Sequence, residues 1–225
     1  MNKIFFLINE FDEFNFHELI EKHLDDVNVT IGNTLPVHTD EYDLVVLWNY
    51  RKIIKNIEGR KNIMLFHSSN LPYGKGWAPI YHAIASGQKY YTITGLFAAE
   101  DVDSGNIIVK ARFRIKDNYI AEYIREWDNE ISIILIKKIL QRFGKNKIIG
   151  KKQIERGNFN TRRYPEQNEI SIDSKFKKII SHLRACEKNH PAFFFYKKTK
   201  YIVNIQPIDR PKFPSDLKIK FYGRG

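Results

Sequence analysis

The sequence has a single cysteine, Cys186, among 225 residues. One thiol excludes an intramolecular disulfide framework and a cysteine-based zinc site. It also suits a reducing compartment, so a cytoplasmic location is expected. The histidines form no His-x-x-x-His pair, and no metal is expected. No apolar run approaches the roughly 20 residues that a membrane span needs, so no membrane partner is expected. The apolar stretch at residues 4–8 is too short for a signal peptide and has no small-residue cleavage site, so it reads as a first strand. Internal repeats and low-complexity tracts are missing. So is any block of five basic residues, although Lys plus Arg number 37 against 26 Asp plus Glu, a net charge of +11. A dispersed positive charge favours anionic partners in general but marks no nucleic-acid footprint. A phosphate-bearing small molecule would use the same charge.

What is present points to an ordered core: 43% hydrophobic and 14% aromatic residues, a composition that argues against disorder. Apolar runs with strand character lie at residues 3–8, 27–31, 43–48 and 62–66. Helical spacing marks 15–25, 51–57 and 80–86, and a long helix is expected over 120–143. Residues 90–97 and 107–115 read as a strand pair around a tight acidic turn. Repeating β-α units predict an α/β, doubly wound, Rossmann-like fold. The character changes near residue 145. The expected organisation is a main domain over 1–145 and a C-terminal extension over 146–225. That extension would hold a helix at 175–185, a hairpin of strands 192–196 and 200–205 joined at 197–199, and a tail (207–225) lying extended over the surface.

One segment carries chemistry: His67-Ser68-Ser69-Asn70-Leu71-Pro72-Tyr73-Gly74-Lys75-Gly76-Trp77-Ala78-Pro79. It follows a buried strand and precedes a helix, where open α/β sheets bind ligands. A histidine there can act as a general acid and base near neutral pH. Gly74 and Gly76 allow close backbone approach. Asp103 sits in the acidic turn next to Gly105, and an Asp facing a His can orient the ring and stabilise its charge. Structural roles for His67 and for the other histidines are the competing reading.

These residues resemble the N10-formyltetrahydrofolate-dependent formyltransferases, the family of methionyl-tRNA formyltransferase and the sugar N-formyltransferases. His67, Ser69, Leu71, Pro72, Gly76 and Pro79 match the family's Asn-x-His-x-Ser-x-Leu-Pro-x-x-x-Gly-x-x-Pro loop. Asp103 and Gly105 match its Asp-x-Gly-Asp turn, with Asn106 in place of the last Asp. Gly74, Gly76, Trp77 and Pro79 are similar to the loop of the pseudaminic-acid-type sugar formyltransferases. So are Arg162-Arg163-Tyr164-Pro165-Glu166-Gln167, Leu183-Arg184, Pro191-Ala192-Phe193-Phe194 and Lys200-Tyr201-Ile202. The resemblance covers about residues 1–205 and implies the Rossmann-like formyltransferase fold.

The resemblance implies formyl transfer from N10-formyltetrahydrofolate, as co-substrate, to the amine of a nucleotide-linked amino-dideoxy sugar, most closely a UDP-linked 4-amino sugar. His67 would shuttle the proton and Asp103 would hold it. The family's oxyanion Asn falls on Leu65, which cannot hydrogen-bond. Asn70 is a candidate replacement, or simply a turn residue. Folate would lie against Trp48, Asn49, Tyr50, Phe97, Ala98, Ala99, Asp101 and Val102, with core packing the competing role for Trp48 and Tyr50. The sugar nucleotide would meet Ser69, Lys75, Gly76, Trp77, Arg162, Arg163, Glu166 and Arg184. Solvated surface charge is the competing reading for the cations. A dTDP-linked amino sugar, methionyl-tRNA and a non-catalytic relative remain as alternatives. The phenylalanine-rich hairpin could close a homodimer or its own core.

Overall fold

Short runs of Ile, Phe, Leu and Val build the sheet: β1 (Lys3–Leu7), β2 (Asn28–Gly32), β3 (Leu44–Leu47) and β4 (Ile63–His67). In this computed structural model the described residues are all but 10–15, 53, 55, 56, 58–61, 145, 147, 224 and 225. Of the short helix expected at 51–57, residues 53, 55 and 56 lie outside that set. The chain continues through β5 (Lys75–Gly76), α2 (Pro79–Ala85), β6 (Tyr90–Phe97), β7 (Ile107–Arg114) and α3 (Ala121–Phe143), with α1 (Phe16–His23) before β2. The remainder forms β8 (Phe159–Asn160), α4 (Phe176–Ala185), β9 (Ala192–Tyr196), β10 (Thr199–Val203) and β11 (Lys218–Phe221).

Seven strands make one sheet in the order β11-β7-β6-β4-β3-β1-β2. The β1–β2, β1–β3 and β3–β4 pairs are parallel, whereas β6, β7 and β11 join antiparallel. Successive side chains on a strand point to opposite faces, and the central strands are apolar on both. Ile4, Phe6, Val46 and Met64 share the main core with buried residues of α1, α2 and α3. Long α3 supplies Ile124, Trp127, Ile131, Leu135, Ile139 and Phe143 at helical spacing, each worth about 1.5–3 kcal/mol when fully buried. Gly144 ends it at φ 54°. The opposite face, with Phe5, Leu7, Val45 and Ile63, is covered by loops that bring in Tyr42, Tyr50 and Ala98.

The last third of the chain is tied to this sheet. Tail residues Lys218–Phe221 pair with β7 as the sheet's edge strand. Strands β9 and β10 form a separate hairpin. Thr199 belongs to β10, opposite Tyr196, so only Lys197 and Lys198 form the turn, at φ 45° and 68°. Two left-handed residues match the twist of the flanking strands.

Candidate active site

β4 ends on His67, which is 8% exposed. Its Nε2 lies 2.8 Å from the Gly74 carbonyl oxygen. A carbonyl only accepts, so Nε2 carries a proton and donates it there. Nδ1 lies 3.4 Å from Oδ2 of Asp103, and the same oxygen accepts the Gly76 N–H at 2.9 Å. Both ring nitrogens therefore face oxygen acceptors, so a ring with two N–H groups finds a partner for each. Asp103 holds φ 53°, a left-handed conformation that Asp and Asn tolerate better than most residues.

The loop over His67 is fixed from three sides. Thr94 of β6 donates its hydroxyl to the Ser69 carbonyl at 2.6 Å, and Ser69 Oγ donates to the Tyr73 carbonyl at 2.8 Å. Leu71 packs with Leu65, Leu96 and Ile107, so Leu65 serves as floor for the loop. From the C-terminal part, β8 pairs with β5, and Asn158 Oδ1 accepts the Gly74 N–H at 2.8 Å. Gln153 donates to the carbonyls of Asp103 and Gly105 at 2.9 and 2.8 Å. Residues 153–160 thus hold both the His67 loop and the Asp103 turn. Gly105 is required where it stands, because a Cβ there would lie 1.7 Å from the Phe97 carbonyl oxygen.

The other anticipated residues divide by surroundings. Lys75, Gly76 and Trp77 lie on the clamped loop, and the Arg162 guanidinium stands 5.1 Å from the Trp77 ring centroid. Arg163 stacks on Tyr81 at 3.4 Å and donates to Asn168 Oδ1 at 2.6 Å. Arg184 donates to the carbonyls of Tyr119 and Lys116 at 2.9 and 2.7 Å. Glu166 is exposed in the 3-10 turn Pro165–Asn168. Asn70 accepts from Lys110 Nζ at 2.7 Å through its side chain, and its carbonyl accepts the Tyr73 N–H. In this conformation Asn70 is a turn residue facing Lys110. Trp48 is buried against Phe6 and Phe16, with ring centroids 6.0 and 5.0 Å away. Asn49 turns the chain at φ 49°. Tyr50 and Ala98 meet on one apolar cluster, so the two segments expected to cradle folate adjoin. Phe97 borders the main core, Ala99 is half-buried, and Asp101 and Val102 are exposed. Among the described residues no group of three His, Cys, Asp or Glu side chains gathers to hold a metal.

Residues 33–132 match the formyl transferase family. That stretch runs from the end of β2 into α3 and contains both His67 and Asp103. Methionyl-tRNA formyltransferase of Pelagibacter ubique is 26% identical over 185 residues, covering 75% of this chain and 58% of its own length. The chain spans about half the length of the curated relatives it matches, 44% in the Finegoldia magna enzyme. Methionyl-tRNA formyltransferase from Clostridium thermocellum superposes with a TM-score of 0.73 at 20% identity, covering 98% of this chain and all of that one. A 4-N formyltransferase from Francisella tularensis gives 0.72 at 18%, covering 93% and 99%. HypX from Aquifex aeolicus in complex with tetrahydrofolic acid gives 0.71 at 16%, covering 96% and 40%. At these identities the superpositions establish the shared fold.

Within the stretch that matches the formyl transferase family lies a polar cluster that no linear motif announces. Ser68, next to the histidine, donates to Oδ2 of Asp128 on α3 at 2.5 Å. Asp128 is 8% exposed. The hydroxyl of fully buried Tyr91 also faces this carboxyl. Burial pushes the Asp128 carboxyl above the usual carboxylate range, partly offset by the Ser68 hydroxyl and by Arg125. The signal in the sequence is one acidic residue on the apolar side of a helix.

Proposed function

We propose that this protein is an N-formyltransferase that moves a formyl group from N10-formyltetrahydrofolate to the amine of a nucleotide-linked amino-dideoxy sugar. The observation that carries the reading is the buried His67–Asp103 pair under a glycine-rich loop, inside the stretch that matches the formyl transferase family. In formyl transfer a neutral amine attacks the formyl carbon, and the carbon–N10 bond then breaks. One proton must pass from the attacking nitrogen to N10. His67 is placed to carry it and Asp103 to hold the ring for that task. The Gly74 carbonyl occupies Nε2 in this conformation, so the ring engages substrate when that contact opens. Loop and turn peptide groups are the polarising donors available where Leu65 offers none.

Folate would lie along 48–50 and 97–102. HypX, on the same fold, is described with tetrahydrofolic acid. Lys75, Trp77 and Arg162 would meet the nucleotide-linked acceptor, because a guanidinium beside an aromatic face suits a diphosphate next to a base or sugar. Residues 1–145 would then carry catalysis and 146–225 brace it. The UDP-linked pseudaminic-type sugar is the first acceptor to test, dTDP-linked sugars the next. Methionyl-tRNA is the second reading, favoured by the names of the curated relatives and of the Clostridium thermocellum structure. The hairpin β9–β10 exposes Phe195, Tyr196, Tyr201 and Ile202, a surface suited to a second copy.

The test is product mass after incubation with N10-formyltetrahydrofolate and a panel of UDP- and dTDP-linked amino sugars and methionyl-tRNA. One formyl gain on a UDP-linked sugar is expected. His67→Ala should lower the rate about 10²–10⁴-fold. Asp103→Asn should also lose activity while keeping the fold, since Asn tolerates the positive φ that position demands. Formylation of methionyl-tRNA alone would replace the sugar reading. Undiminished turnover by both variants would remove the His67–Asp103 mechanism.

A further inference from the structure

The sheet register sets His67 directly opposite Thr94, Thr94 opposite Lys110, and Lys110 opposite Lys220. One cross-strand row thus runs from the histidine to the sheet edge, with strands about 4.8 Å apart. The next row holds Thr92, Arg112 and Lys218. Like charges directly opposite each other repel and destabilise a sheet. Here two such pairs, Lys110 with Lys220 and Arg112 with Lys218, stand side by side. Among the described residues none of the four cations forms an ion pair. Nearby Asp216 gives its carboxylate to the Arg114 backbone N–H at 2.9 Å.

These side chains line a cavity of about 370 Å³ with Asn70, Thr92, Ile219 and Tyr222. The ammonium groups of Lys110, Lys151 and Lys220 stand 5.7, 5.8 and 5.1 Å from the Tyr222 ring centroid. Burial, followed by the charges of Lys151 and Lys220, lowers the Lys110 pKa. Lys110 also reaches the catalytic loop, donating to Asn70 Oδ1 at 2.7 Å and to the Leu71 carbonyl at 2.5 Å.

We propose that this cavity is an anion site that takes a multiply charged phosphate group of the diphosphate class, on Lys110, Arg112, Lys218 and Lys220. A diphosphate would neutralise the opposed cations with charge-assisted hydrogen bonds. Through Lys110 its binding would be felt by the loop that carries His67. The diphosphate of a nucleotide and free inorganic diphosphate share this chemistry. The site stands whatever acceptor the enzyme uses, so its failure and that of the proposed function are separable.

The experiment is thermal unfolding and calorimetric titration of the full chain with inorganic diphosphate at constant ionic strength. The wild type should bind one diphosphate and rise in thermal midpoint. Arg112→Gln/Lys220→Gln should start from a higher midpoint without ligand, because repulsion is relieved, and bind diphosphate at least tenfold more weakly. A rise of equal size in both proteins, or none in the wild type, would overturn the site. UDP separates the two sources. UDP binding tighter than diphosphate, and weakened by the same substitutions, identifies a nucleotide's phosphates. Binding no tighter than diphosphate identifies a free anion.

Discussion

Asp128 contributes a buried carboxyl that folding does not favour in its ionised form. Its pKa is raised, chiefly by burial. The unfolded chain therefore ionises first, near pH 4. As pH rises above that value the unfolded state sheds the proton that the folded state retains, and the folded state loses stability. Asp128→Asn removes the titration and keeps an oxygen for the Ser68 hydroxyl. Its thermal midpoint relative to wild type should climb as the pH is raised from about 4 toward neutrality. Midpoints recorded across that range decide it, and a gap that stays flat would refute the argument. His67 and Asp103 were legible because their motifs are linear and chemically restrictive. Asp128 was not, since its meaning depends on Ser68 and Tyr91, which only the folded chain brings to it. Asn70 shows the same limit, because nothing in the sequence says that Lys110 faces it.

At the scale of elements, the clamp from residues 153–160 braces the loop that follows His67. Strand β8 has only two residues, too few to show a pattern, whereas the strands of the central sheet were evident as apolar runs. Gly157 makes the clamp possible. It sits at φ 66°, and a Cβ there would lie 1.7 Å from the Pro72 carbonyl oxygen. Gly157→Ala must therefore push the segment off the loop. The main core is elsewhere, on the helix-covered face, so the sheet should survive. We expect far-UV circular dichroism like the wild type and a fall in kcat of about 10²-fold, the loss that a misplacement near 1 Å brings. Unchanged turnover would show that residues 153–160 brace nothing the reaction needs.

Across the whole molecule, the chain's last residues return to complete a sheet begun by its first. The parallel half was readable from alternating strand and helix signals. The closing strand was not, because Lys218-Ile219-Lys220-Phe221 lies in a proline-bearing, lysine-rich tail that reads as surface chain. In the structure β11 pairs with four residues of β7. The N–H groups of Tyr222 and Gly223 both donate to the Ile108 carbonyl, at 2.7 and 2.9 Å. Phe221 lies edge-on to Phe143 at the end of α3, with ring centroids 6.1 Å apart. Removing residues 215–225 would therefore lose several hydrogen bonds of about 0.5–1.5 kcal/mol each. It would also bare the edge of β7, a template for pairing with other chains. Against this, the deletion removes two of the opposed lysines. Hydrogen bonds and Phe221 packing outweigh the relieved repulsion, because cross-strand charge pairs are worth only about 0.2–1 kcal/mol. The truncated protein should unfold at a midpoint lower by on the order of 10 °C, at about 2–4 °C per kcal/mol for a chain of this size. Light scattering should show association that grows with protein concentration. An unshifted midpoint in a monodisperse sample would mean that the sheet is complete without its last strand.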